Sequence, residues 1–523
     1  MLHNSIYSSN QLFLFYTSIF LMCLSMILFY KKSYSISVFL LFSGSLALGL
    51  FLGILDPYLY YWDEQFHALV AKNMMEHPFE PMLYKNPEVG YSYQMWVGNN
   101  IWLHKQPLFL WQMALSMKVF GATTIALRLP SILMHSVMVL LVYRIGCNMI
   151  SRKTGYYGAF LFTLSFYILE MMIGFRSTDH NDVAFIFYST ASIWAWTEFN
   201  LSKNKKWIFA IGLFSGCAVL NKWLPGLLVY GAWGASILSN KEDRVSIKAY
   251  LLPVYSFLIS VAVFLPWQIY TFLRFPVESK YEYDLNVLHF SQPVEGHDGS
   301  WTFHFNHLNT LYGDGEFVPW ILLLGLILLM VFGKENRIRV FIFTAVVAVY
   351  GFYSIAATKM ISFPLVVSVF AFLSMGIVLD QFEELLNKYI KYPKIISILV
   401  LTLLLFFGYL SLNIKELEKD HTFIYGDNPT KNLKEKELVV FDYIMKQIPD
   451  TSYTFFNLPF MSNVPFMFHK GVHAAYDFCP NEEQYVDLKN RNIKFVVIDN
   501  NQKNIPEYIL KDSTTKIVRN PYW

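Results

Sequence analysis

The chain is built on apolar runs. Segments such as "ISVFLLFSGSLALGLFLGIL" (36–55) recur along it, each about 17–20 residues long, the length that carries a helix across roughly 30 Å of hydrocarbon. Spans fall near 12–30, 36–55, 127–147, 155–174, 183–199, 207–220, 223–239, 248–268, 317–333, 338–356, 361–380 and 394–412. Pro225 and Gly226 interrupt the pattern, so 207–220 and 223–239 can be one broken helix pair. Of the 523 residues 55% are hydrophobic and only 15% charged, a balance too apolar for a soluble protein. The expected fold is an α-helical polytopic membrane protein with about 11–13 transmembrane helices.

Charge between the spans sets their direction. The basic connections "KK" (31–32), "SRK" (151–153), "KNKK" (203–206), "KEDR" (241–244), "GKENRIR" (333–339) and "NKYIKYPK" (387–394) all fall on one side, which is the cytoplasmic side by the positive-inside rule. The loops 56–126 and 269–316, the hairpin "FRSTDHND", "NKW", "TKM" and the C-terminal tail then lie outside. A bacterial-type inner membrane, with an extracytoplasmic tail, is the expected setting. The net charge of +3 and the lack of a Lys/Arg block exclude a nucleic-acid partner, leaving membrane lipids as the surroundings. Cys23, Cys147, Cys217 and Cys479 form no disulfide framework or CxxC pair. The run at 11–30 has no basic n-region before it and no small-residue cleavage site after it. It is expected to stay as a helix.

Three regions follow: an extra N-terminal helix (1–35), a membrane domain (36–412) and a tail (413–523). In the tail, "KELEKDHTFIYGDNPTKNLKEKE" reads as a charged linker, and "SYTFFNL", "NEEQYVDLKNRN" and "IKFVVIDN" as strand, helix and strand of a small α/β domain.

The unusual polar residues collect on the outer side. In "YYWDEQFHALVAKNM" Asp63 and Glu64 open a helix whose Phe66, Leu69, Val70 and Met74 make one apolar stripe, as in a helix lying in the membrane interface. Asp63 there is either a helix cap or a chemical group. Lys105 in "WLHKQPLFLW" is either a snorkelling anchor or a phosphate holder. "GFRSTDHNDVAFIF" sets Arg176, Asp179, His180 and Asp182 at a hairpin, more ionisable groups than solubility requires. Lys222 and Lys359 add cations at the same face. His289, His297, His304 and His307 show no full HExxH-type ligand set; for a divalent metal the candidates are His104 and His297.

The order of these elements resembles a family. The acidic pair, "HKQPLF", "RLPSIL", the Asp-bearing hairpin, "GCAVLNKWLPGLL", "FLPW" (264–267), "HDGSW", "VPW" (318–320) and "TKMISFPL" follow one another as in the GT-C glycosyltransferases of the aminoarabinose transferase and protein O-mannosyltransferase type. The resemblance runs from about residue 36 to 380. It implies a polyprenyl-phosphate sugar donor and a lipid A-like glycolipid, polysaccharide or protein acceptor. It also implies an active site on the outer face and catalysis by Asp63 with Glu64 beside it. Lys105 and Lys359, with Arg176 and Lys222, would hold the phosphate; Asp179, or Asp182, and His297 would position substrate. The pattern departs from the family at "KQPL" for Lys-Pro-Pro-Leu, at His104 for Glu, at Phe363 for Tyr and at "NKWLPG" for Thr-Lys-Gly. The span at 12–30 is also additional.

Such chemistry needs a general base on the acceptor and cations on the leaving phosphate. A single displacement with one base inverts the sugar, and the resemblance favours that course. The competing classes are a lipid transporter or flippase, which commonly shows internal repeats and polar groups at mid-membrane, and a polymer-ligating protein on the same fold. No repeat is visible here.

Overall fold

A computed structural model describes residues 7–90, 92–422, 428–459, 461–501 and 505–520. Helix α1 (Ser9–Tyr30) turns at Lys31 into α2 (Tyr34–Gly53). The first long outer segment carries α3 (Asp63–Met74) and α4 (Leu108–Phe120). Then follow α5 (Thr124–Met149), α6 (Arg152–Thr163), α7 (Phe166–Met172), α8 (Asp179–Ser202), α9 (Lys206–Lys222) and α10 (Leu228–Leu238). Helix α11 (Ile247–Arg274) runs into α12 (Pro276–Ser291), and the short α13 (Phe303–Asn306) and α14 (Leu308–Tyr312) complete the second outer segment. The membrane region closes with α15 (Val318–Phe332), α16 (Asn336–Ile355), α17 (Ser368–Tyr389) and α18 (Pro393–Leu412).

Every expected span lies on helix. Among the described residues seven helices are long and apolar enough to cross a membrane on their own. The expected span 155–174 divides into α6 and α7 at Leu164 and Ser165. The expected broken pair is present: α9 stops at Trp223, where φ is +60°, and a 3₁₀ turn over Leu224–Leu227 leads into α10.

At one end of the bundle the basic connections meet each other: Lys334 donates to the Cys147 carbonyl at 2.6 Å and Arg337 pairs with Asp243 at 2.9 Å. At the other end lie α3, α4, α12 and the C-terminal region.

In lipid the hydrophobic effect adds little to helix–helix contact, so packing relies on small residues and polar bonds. The bundle shows both. Ser256 and Ser260 of α11 bond the α9 carbonyls of Ile208 and Gly212, each at 2.9 Å. Only four residues of α11 are buried; its other faces are large exposed apolar side chains, suited to lipid. Gly146 of α5 and Gly155 of α6 press backbone to backbone, and a Cβ on either would strike the other helix.

The C-terminal region holds α19 (Ile414–His421), α20 (Pro429–Gln447), β1 (Thr454–Phe456), α21 (Asn463–Lys470), β2 (Ala474–Ala475), α22 (Glu482–Asn490), β3 (Phe495–Asp499), α23 (Glu507–Leu510) and β4 (Lys516–Arg519). The strands form an all-parallel sheet in the order β2-β1-β3-β4, with Phe455 opposite Val496 and Val497 opposite Ile517. The expected strand, helix and strand are β1, α22 and β3. The supposed charged linker is instead helical on both sides of 423–427, which lie outside the described residues. Asn413 and Asn428 cap α19 and α20, and the buried Leu417 belongs to an apolar stripe hidden among the charges.

This region also corrects the reading of α3. Its apolar stripe faces protein, not lipid: Phe66, Leu69, Val70 and Met74 are all buried. Towards the C-terminal region Lys72 donates to the Phe468 carbonyl at 2.6 Å, and Tyr84 donates to the Ala475 carbonyl at 2.9 Å. Gly146→Ala should lower the thermal unfolding midpoint in detergent, at a cost of about 1–3 kcal/mol. Gly231→Ala in α10, where a Cβ meets nothing within 4 Å, should be neutral in the same assay.

Candidate active site

Two helices begin against each other. Trp62, in a positive-φ conformation (+63°) that non-glycine residues rarely adopt, turns the chain sharply into α3. Thr178 does the same before α8, with φ +67°. Asp63, the first residue of α3, does not cap its own helix; its Oδ2 accepts the Thr178 backbone N–H at 2.6 Å. Burial pushes the Asp63 carboxyl up. Lys105, His67, the Thr178 amide and His104 together outweigh that, and hold it down at about 2. It is therefore ionised at neutral pH.

Asp63 faces a cavity of about 770 Å³. Its polar part is lined by Asp63, His104, Lys105, Asn181, Lys222 and Glu282, and its apolar part by Trp223, Tyr283, Val287, Phe290, Phe352 and Phe363. The carboxylate and two ammonium groups thus line the same largely apolar cavity. Among the described residues Lys105 makes no hydrogen bond or ion-pair contact, while Lys222 is paired with Asp182.

Residues 104–270 match the family model described as dolichyl-phosphate-mannose-protein mannosyltransferase. No curated protein matches the chain. Among solved structures, ArnT from Cupriavidus metallidurans bound to undecaprenyl phosphate aligns with a TM-score of 0.60 and 12% identity, covering 87% of this chain and 89% of that one. Its apo state aligns with a TM-score of 0.58 and 12% identity, over 87% and 88%. The oligosaccharyltransferase AglB from Archaeoglobus fulgidus, in complex with an inhibitory peptide and a dolichol-phosphate, aligns at 0.55 and 13% identity, over 86% of this chain and 65% of that one. The chain shares the fold of ArnT and AglB.

On this fold, Asp63, Lys105, Lys222, His104 and His297 line the cavity, and the other expected site residues do not. Glu64 is fully buried behind Asp63. Its Oε1 and Oε2 accept Arg128 Nε at 2.7 Å and Nη2 at 3.0 Å, and Oε2 also accepts the Tyr60 amide at 2.7 Å. Gly174, with φ +89°, passes directly over that carboxylate, where any side chain would collide. Glu64 is thus bonded into the framework by Arg128, Tyr60 and His180 and does not line the cavity. Asp179 is likewise turned away and holds His67 Nδ1 at 2.8 Å. Asp182 accepts the Thr178 hydroxyl at 2.5 Å and pairs with Lys222.

Two cations expected at a phosphate are engaged elsewhere. Arg176 pairs with Glu170 at 2.5 Å and approaches Asp420 at 3.8 Å. The Lys359 ammonium donates to the carbonyls of Tyr353 (2.8 Å), Ser354 (2.7 Å) and Ala356 (2.5 Å), satisfying the C-terminal end of α16 with all three of its donors. Burial lowers its pKa. Among the described residues no three His, Cys, Asp or Glu side chains are grouped to hold an ion. His104 instead stacks on Trp96, and the His297 carbonyl accepts the Lys359 amide at 2.9 Å.

Arg128 was missed, although an arginine inside an apolar span is itself a signal of a buried partner. Besides Glu64 it binds the carbonyls of Gly53 (3.1 Å), Asp56 (2.8 Å) and Tyr58 (2.9 Å). Removing one member of such a pair strands a buried charge, at a cost of about 3–5 kcal/mol. Arg128→Met and Glu64→Met should each lower the thermal midpoint strongly. The double variant should cost clearly less than the sum of the two, read as coupling in a double-mutant cycle.

Proposed function

We propose that the protein transfers a sugar from a polyprenyl-phosphate carrier to an acceptor at the outer face of the membrane, with inversion at the anomeric carbon. The observation that carries this reading is the uncommitted Lys105 ammonium beside the ionised Asp63, at the head of an aromatic and aliphatic slot. A lipid phosphate fits that combination. Its charge meets Lys105, and its isoprenoid chain meets Phe290, Phe352 and the neighbouring apolar wall. The relatives support it, since ArnT was solved with undecaprenyl phosphate and AglB with a dolichol-phosphate and a peptide.

The chemistry follows from these positions. The acceptor oxygen attacks the anomeric carbon while its proton passes to an Asp63 oxygen. The bond from that carbon to the phosphate oxygen breaks, its electron pair leaves on the phosphate, and Lys105 stabilises the new charge. Inversion is supported by Glu64: locked by Arg128, it is not free to act as the nucleophile of a double displacement. Donor binding also tunes the base. Once Lys105 is neutralised by the phosphate, its pull on Asp63 weakens and the carboxyl pKa rises above its free value, making a stronger base. The acceptor is a lipid A-like glycolipid, a polysaccharide or a protein, in a bacterial-type inner membrane with the C-terminal region extracytoplasmic.

Purified protein incubated with radiolabelled polyprenyl-phosphate sugars and membrane extract should move label to an acceptor, and the labelled fraction names its class. Asp63→Asn should abolish transfer while the protein stays folded in detergent; an active variant sinks the base assignment. Lys105→Ala should chiefly raise the KM for donor, and an unchanged donor dependence would reduce Lys105 to an anchor. Since Asp63 must be deprotonated, rates fall as pH drops through its pKa. The acid limb of kcat, which reports the donor complex, should therefore lie at higher pH than that of kcat/KM, which reports the free protein.

A further inference from the structure

The cavity wall next to Lys105 carries a polar pair that the transfer chemistry leaves unused. Helix α12 is mostly exposed, yet Glu282 on it is 4% exposed and lines the cavity. Its Oε2 has no hydrogen-bond partner, and it faces Nδ1 of His104 at 3.5 Å, which is also unpartnered. A carboxylate withdrawn from water with an open acceptor position is costly unless a donor comes to it. No rearrangement of His104 is needed to receive one. The His104 ring lies flat on Trp96, centroids 4.9 Å apart and planes at 7°. Trp96 is held in turn, its indole N–H donating to Glu295 at 2.8 Å and its carbonyl accepting from Trp102 at 2.9 Å.

Position decides what the pair is for. His104 precedes Lys105 in the chain, so the pair stands beside the ammonium assigned to the carrier phosphate. The group nearest a carrier phosphate is the sugar joined to it. Resting on the carrier reading above, we propose that Glu282 and His104 recognise the transferred sugar. The Glu282 carboxylate accepts hydrogen bonds from sugar hydroxyls, and His104 supplies a second, pre-oriented polar contact. An ionised carboxylate only accepts, so the site takes a sugar bearing hydroxyls or an amine and rejects one bearing its own carboxylate.

The test compares binding of bare undecaprenyl phosphate with a panel of undecaprenyl-phosphate glycosides (hexosyl, pentosyl, aminopentosyl and uronosyl) to the full chain in nanodiscs. Glu282→Ala should weaken the best-bound glycoside about tenfold or more and leave the bare carrier unchanged. Glu282→Gln, which keeps an acceptor oxygen, should fall between. The uronosyl glycoside should bind least to the wild type, and Glu282→Ala should narrow its disadvantage. Equal weakening of bare and glycosylated carrier by Glu282→Ala, or no effect on either, overturns the proposal while leaving the carrier reading intact. A wild type that binds no bare carrier, or a Lys105→Ala variant that binds it as well as the wild type, overturns both.

Discussion

The arrangement depends on one buried arginine. Arg128 sits with no exposure on α5 and spends its donors on Glu64 and on three carbonyls between Gly53 and Tyr58. Sealing a guanidinium and a carboxylate away from water is expensive, and only a fully bonded geometry offsets the cost. That requirement fixes the end of α2, the turn through Tyr60 and the first residues of α3 relative to one another. His180 of α8 joins from the far side, its Nε2 3.4 Å from Glu64 Oε1. With Glu64 held in this way, its neighbour Asp63 has only one direction left, outward to the cavity. The two adjacent acids thus divide their work by environment: one is spent on holding the fold, and its fixity aims the other.

A second clamp comes from the C-terminal region. Lys72, Tyr84 and the Glu88–Arg491 pair tie α3 and the loop after it to α21, β2 and α22. On the α20 side Lys431 reaches Asp56 at 2.6 Å, and the Lys434 ammonium lies 3.6 Å from the centroid of the Tyr61 ring. These contacts bracket Trp62 and Asp63 from both flanks. A carboxylate at the first residue of a short helix would otherwise fray with that helix. The sheet is accordingly part of the site's framework, although it contributes no lining residue to the cavity.

The bundle was legible because the bilayer leaves little choice: apolar length specifies the spans with few alternatives. The site was legible only in outline. Adjacency told that Asp63 and Glu64 point apart along a helix, but not which of them meets Arg128, because that depends on where α5 passes. Lys105, Lys222, Arg176 and Lys359 look alike in sequence, each a cation at a helix end. What separates them is supplied by distant chain. Carbonyls of α16 take Lys359, Glu170 takes Arg176 and Asp182 takes Lys222, leaving Lys105 uncommitted. The helices hidden in 414–422 and 428–447 were missed for a related reason, since their stripes of Leu417 and of Val440, Phe441 and Ile444 sit within dense charge.

Lys105 and Lys222 line the same cavity but differ in their partners. Lys222 already shares its charge with Asp182 and lies 4.7 Å from the centroid of the Phe363 ring, at the border of the apolar wall. An incoming anion there must compete with a formed ion pair. At Lys105 it meets only the longer-range attraction of Asp63. One uncommitted ammonium and one already paired with Asp182 thus differ in what an incoming anion must displace.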